Sequence, residues 1–157
     1  GYSGKGDVFV FLFFGLLSVL GTFFLYAQRL MVETLPVAIC IGALSVAVLN
    51  LNNLRDMESD RQSGKNTLVV KVGFRAGIRY HFLLCITALM CLLVYIGLQP
   101  DYRPGLLALL PFIPIGFHLR RVWSAGKPEA LDPELKIVAL STFFIGLILY
   151  ISNNYFL

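Results

Sequence analysis

Residues 35–60 read LPVAICIGALSVAVLNLNNLRDMESD. Up to Asn53 the run is apolar over close to the roughly 20 residues that a helix needs to cross a hydrocarbon core. Pro36 stands near its start, where a helix tolerates proline. In lipid such a run has to be a helix, because only a helix satisfies its backbone groups within the segment. Ala38, Gly42, Ser45, Leu49 and Asn52 fall along one face, which turns polar at its far end. Continued past the membrane surface, the same helix places Asn52, Asp56 and Asp60 at successive i+4 positions, with Asn53 on the flank.

Four more apolar runs lie outward of this one, at residues 8–27, 80–98, 106–119 and 137–156. Together they predict an all-α, multi-pass transmembrane helix bundle with five spans. The first run is Phe-rich and carries Gly15, Ser18 and Thr22 at helical spacing, a small-residue face that lets another helix approach closely. The fourth is short and contains Pro111 and Pro114, which predicts a kink, with Arg120 and Arg121 snorkelling at its end. Composition agrees with a lipid environment: 57% of the 157 residues are hydrophobic and 14% charged, against about 25% charged in soluble domains.

The formal charge of +4 is distributed by topology. With five alternating spans, one side holds eleven basic residues, six of them in the polar segment 54–79, and the other holds only Arg29 and Arg103. The positive-inside rule then puts the Asp-rich segment in the cytoplasm and the C-terminus on the outer side of the cell membrane. It also removes the reason to invoke nucleic acid as a partner. Tyr26, Tyr95, Tyr102, Tyr150 and Tyr155 fall near the outer interface and Trp123 near the inner one, as aromatic anchors do. Cys40, Cys85 and Cys91 lie inside apolar runs without metal-ligand spacing and read as small hydrophobes. His81 and His118 stand alone in the sequence and are assigned to the interface.

Two carboxylates one helical turn apart repel each other unless a cation rewards the arrangement. Carboxylate and amide oxygens favour a hard ion such as Mg²⁺. A Mg²⁺ held by only two carboxylates leaves coordination positions that phosphate oxygens and water normally fill, so the implied ligand is a phosphate or diphosphate. Arg61 and Lys65 follow within about two turns, and Lys71 a little later, as cations able to share its charge. The pair Asp56 and Asp60, taken alone, reads equally as a solvated helix end paired with Arg55 or Arg61.

Asn52-Asn53-Leu54-Arg55-Asp56-Met57-Glu58-Ser59-Asp60, followed by Gly64-Lys65-Asn66-Thr67-Leu68 and Val72-Gly73, resembles the second Asp-rich motif of the UbiA-type membrane prenyltransferases. Gly4-Lys5-Gly6-Asp7, with Val8-Phe9, Phe13-Phe14-Gly15 and Gly21-Thr22 after it, is similar to the start of the fifth helix in the branch that prenylates 1,4-dihydroxy-2-naphthoate on the way to menaquinone. The likeness covers helices five to nine of a nine-helix fold, so residues 1–157 correspond to the C-terminal half of one prenyltransferase domain. A start at Gly1 without Met reads the same way.

The resemblance implies that Asp56 and Asp60 bind Mg²⁺ on a polyprenyl diphosphate, supported by Asn52 and Asn53. It implies diphosphate contacts from Arg61 and Lys65. Asp7 is then a substrate-facing residue, where the residues alone suggest a charge on a helix dipole. The family's other Asp-rich motif has no counterpart here, since Asp7, Asp101 and Asp132 lack a partner at i+4; activity and stable folding are therefore expected only of the complete protein.

Alternatives remain: a hydroxybenzoate, homogentisate or haem-type acceptor, a non-catalytic membrane subunit, or a transporter with a cation-binding Asp pair. Pathway acids belong near mid-membrane, whereas these lie in the charged segment. A CDP-alcohol phosphotransferase would need a D-G-x-x-A-R sequence, which is missing.

Overall fold

A computed structural model describes residues 4–155. Five helices in it are long and apolar enough to cross a membrane. They are α1 (Gly6–Ala27), α2 (Thr34–Arg55), α5 (Phe74–Leu98), α6 (Arg103–Ser124) and α7 (Glu134–Tyr155). Between α2 and α5 run two short helices, α3 (Met57–Gln62) and α4 (Leu68–Val72). Among the described residues there is no strand. Phe156, the expected end of the fifth span, and the Tyr155 side chain lie outside the described residues.

The spans alternate in direction, as their cross-links require. Arg55 at the end of α2 reaches Asp132 just before α7, and Arg75 at the start of α5 reaches the Trp123 carbonyl at the end of α6. At the other end Tyr95 of α5 donates to Asn153 of α7, and Ser152 to the Pro104 carbonyl of α6. The first end is the one that carries most of the chain's basic residues.

α2 is the central strut, packed against α1, α5 and α7, and is the most buried span; α1 is the least. Lipid offers no hydrophobic drive between helices, so close packing and interhelical hydrogen bonds decide their association. The small-residue faces anticipated on α1 and α2 do meet. A Cβ on Gly15 would fall 2.6 Å from Gly42 Cα and 2.8 Å from the Ala38 carbonyl, so only glycine lets these backbones approach. The same helix is wound as π-helix over Phe11–Gly21, an uncommon winding that brackets this contact. Elsewhere on α2, buried Asn50 donates to the Gly77 carbonyl of α5 at 3.0 Å.

α5 begins six residues before the expected third span, taking Arg75 and Arg79 into the helix. α6 is broken as its prolines predict. After Arg103–Leu106 come a 3₁₀ turn, Leu107–Leu109, and a second segment, Phe112–Ser124. Pro111 has no N–H to donate and its ring crowds the preceding turn.

Candidate functional site

α2 ends where the sequence changes from apolar to charged. Asp56 leaves the helix at φ −91° and ψ 6°, and α3 starts at Met57. The continuous stalk expected from the i+4 spacing is therefore two helices hinged at Asp56, a residue type that favours helix caps over interiors. Hydrogen bonds still span the hinge: Asp56 N donates to the Asn52 carbonyl at 2.9 Å, and Asp60 N to the Asp56 carbonyl at 2.8 Å. Asn52, Asp56 and Asp60 accordingly keep to one side.

Those three side chains share a cavity of about 170 Å³ with Asn53, Asp7 and Lys65. Thr67 and Leu68 line it as well. Gly4 brings α1 over it: at φ +68° a Cβ there would meet the Asn66 carbonyl at 2.7 Å, so the chain before α1 is pressed on the loop after α3. The sequence places Asp7 45 residues and more from Asn52 and the polar residues after it; the fold puts them around one space. Arg61 is not part of it. It is half-exposed and pairs with Glu58 at 3.6 Å.

Asp56 and Asp60 each carry a cation. Lys65 Nζ donates to Oδ1 of Asp60 at 2.7 Å, and Asp60 is only 5% exposed. Arg55 Nε and Nη2 donate to the two oxygens of Asp56 at 2.8 and 3.0 Å. Nη2 also donates to Asn52 Oδ1 at 2.8 Å, and Nη1 to Asp132 Oδ1 at 3.1 Å. The Arg55 guanidinium thereby holds the Asp56 carboxyl below the usual carboxylate range. Asp132, without a neighbour at i+4, finds its partner 77 residues away.

Asp7 enters from α1. Tyr80 of α5 lies near enough to interact with it, and its Oδ2 is buried without a hydrogen bond. Sequence spacing gives no hint of Tyr80, because α1 and α5 become neighbours only through their common packing on α2. Along α1, an open apolar groove of about 540 Å³ runs past Phe9, Leu12, Phe13, Leu16, Leu20 and Phe24.

The donor set can be weighed against a divalent ion. Among the described residues no three His, Cys, Asp or Glu side chains gather closely enough to hold a metal by themselves. Two carboxylates, two amides and an orphaned Asp7 oxygen around one cavity are all hard oxygen donors. They suit an ion that brings phosphate oxygens to complete its shell, as Mg²⁺ does.

A second polar cluster overturns the interfacial assignment of the histidines. His81 and His118 are both 0% exposed, with their Nε2 atoms 2.8 Å apart. His118 Nδ1 lies 2.7 Å from Glu134 Oε2, and Arg121 Nε donates to Glu134 Oε1 at 2.6 Å. A carboxylate only accepts, so Nδ1 of His118 bears a proton, and the two Nε2 atoms share one proton between them. The chain of bonds ties α5, α6 and α7 together. Tyr95 is likewise no surface anchor: it is 8% exposed and bonded to Asn153. Tyr26, Tyr102, Tyr150 and Trp123 are exposed.

Comparison with known proteins gives these arrangements a setting. Residues 2–143 match the UbiA prenyltransferase family. The chain is similar to 1,4-dihydroxy-2-naphthoate octaprenyltransferase of Escherichia coli K12, 41% identical over 136 residues, covering 87% of this chain and 44% of the relative. The Haemophilus influenzae protein of the same name is 36% identical over 148 residues, covering 94% of this chain and 48% of its own length. Human UbiA prenyltransferase domain-containing protein 1 is 36% identical over 72 residues, 46% of this chain and 21% of that protein. The chain thus spans about half the length of the curated bacterial relatives it matches. No solved structure matches it.

Proposed function

Because the chain belongs to the UbiA prenyltransferase family, we propose that it forms the diphosphate-binding part of a membrane enzyme that transfers a polyprenyl group to 1,4-dihydroxy-2-naphthoate. The observation that carries this reading is the shared cavity of Asp56, Asp60, Asn52, Asn53, Asp7 and Lys65 at the basic end of the bundle. The acceptor is read from the names of the bacterial relatives and from the N-N-x-R-D motif.

In this reading Asp56 and Asp60 hold Mg²⁺ on the donor's diphosphate, with Asn52 and Asn53 as amide oxygens beside them. When bound, the ion supplies positive charge where negative charge grows as the allylic C–O bond breaks. Lys65 turns its ammonium from Asp60 to the departing diphosphate. Arg61, outside the cavity, would serve only at its rim. The electron-rich ring of the acceptor takes the allylic carbon and loses its carboxylate as CO₂. The apolar groove of α1 suits the isoprenoid tail and keeps water from the cation. The Asp-rich end faces the cytoplasm and the C-terminus the outer side of the cell membrane.

The test is Asp56→Ala and Asp60→Ala in the intact protein. Both variants should insert normally and lose Mg²⁺-dependent prenylation of dihydroxynaphthoate by on the order of 100-fold or more, the cost of removing a key electrostatic stabiliser. Normal turnover by both would refute the assignment.

A further inference from the structure

The oxygens assigned above to the metal already have an occupant. Arg55 contacts both oxygens of Asp56 and the amide oxygen of Asn52, while its remaining arm rests on Asp132. The fork is bidentate, the geometry in which guanidinium and carboxylate bind most specifically. Lys65 plays the same part at Asp60. The two acids are thus neutralised in pairs.

A bare divalent ion entering here would meet two fixed cations and have to displace one of them. A metal carrying diphosphate meets the same cations as an anion. Its phosphate oxygens offer Arg55 and Lys65 replacement acceptors at the moment Asp56 and Asp60 are given up. Resting on this reading of the site, we infer that Arg55 is a placeholder cation: it blocks Asp56 and Asn52 against free metal and releases them to a metal–diphosphate complex. Asp132 holds the released arm at the rim. Arg55 acts through Asp56 and is therefore a positioning residue.

The consequence is coupling. Metal and diphosphate must raise each other's affinity by the same factor, since linkage is reciprocal, and part of that factor belongs to Arg55. Loss of a merely structural arginine would weaken metal binding. Loss of a placeholder strengthens it.

The experiment titrates the intact protein in nanodiscs with Mn²⁺, read by its paramagnetic resonance signal, with and without inorganic pyrophosphate. For Arg55→Met, Mn²⁺ alone should bind on the order of tenfold tighter than to the wild type, about the worth of one charge-assisted hydrogen-bonded pair. The enhancement by pyrophosphate should shrink correspondingly. Arg55→Lys, which keeps the charge without the fork, should fall between. Asp132→Asn removes an exposed anchor and should weaken Mn²⁺ binding in the presence of pyrophosphate by about two- to fivefold, the scale of such pairs. If Mn²⁺ alone binds Arg55→Met no more tightly than the wild type, the placeholder is overturned while the metal–diphosphate site stands. If the wild type binds no Mn²⁺ even with pyrophosphate, the site itself falls, and the placeholder with it.

Discussion

Asp56 and Asp60 are the same residue type one turn apart, yet their surroundings differ. Asp60 is nearly enclosed and holds a flexible lysine, whereas Asp56 stands at a hinge with a side chain 36% exposed and holds a rigid guanidinium. At Asp56 the pKa is lowered, and the Arg55 hydrogen bonds are the first cause. A carboxyl with a lowered folded pKa contributes stability that is complete above the ordinary carboxylate range and is lost as pH falls through the lowered value. Arg55→Met should therefore move the Asp56 titration midpoint upward, toward the ordinary range. Carboxyl ¹³C chemical shifts of the variant and wild type followed against pH would measure this; identical midpoints would contradict the assigned cause.

At the scale of elements, two devices hold the site in place. The Gly15 and Gly42 contact fixes α1 on α2, and with it the approach of Asp7 to the cavity. The His81, His118 and Glu134 bonds fix α5, α6 and α7 near the same end. Interhelical hydrogen bonds in membranes average about 0.6 kcal/mol and reach about 1.7. Replacing His118 breaks two of them and strands buried His81, while Glu134 keeps Arg121. His118→Phe should cost about 1–3 kcal/mol, seen as a lower unfolding midpoint in detergent, while His81→Phe/His118→Phe should cost less than the sum of the single changes. Unchanged midpoints would mean that the cluster binds nothing together.

The whole molecule gathers eleven of its thirteen Lys and Arg residues toward one end, the end that holds the cavity. If this end faces the cytoplasm, a cysteine at Ser63 should react with an impermeant maleimide only after cells are opened, and one at Asp101 should react in intact cells. The reverse pattern would invert the topology. The native thiols at Cys40, Cys85 and Cys91 are replaced for this purpose; two are buried and the third half-buried.

Much of this was legible in the sequence. A span in lipid must satisfy its own backbone, so hydropathy by itself determined five helices and their order. Local periodicity determined that Asn52, Asp56 and Asp60 share a face, and Pro111 that α6 breaks. The tertiary structure decided what no spacing encodes. It hinged the stalk at Asp56, set Arg61 outside the cavity, gave Arg55 a partner at Asp132, brought Tyr80 to Asp7 and buried two solitary histidines against each other. The physical reason is range: backbone satisfaction and helical phase act within a few residues, whereas the partner of a polar side chain is chosen by which helices happen to pack together.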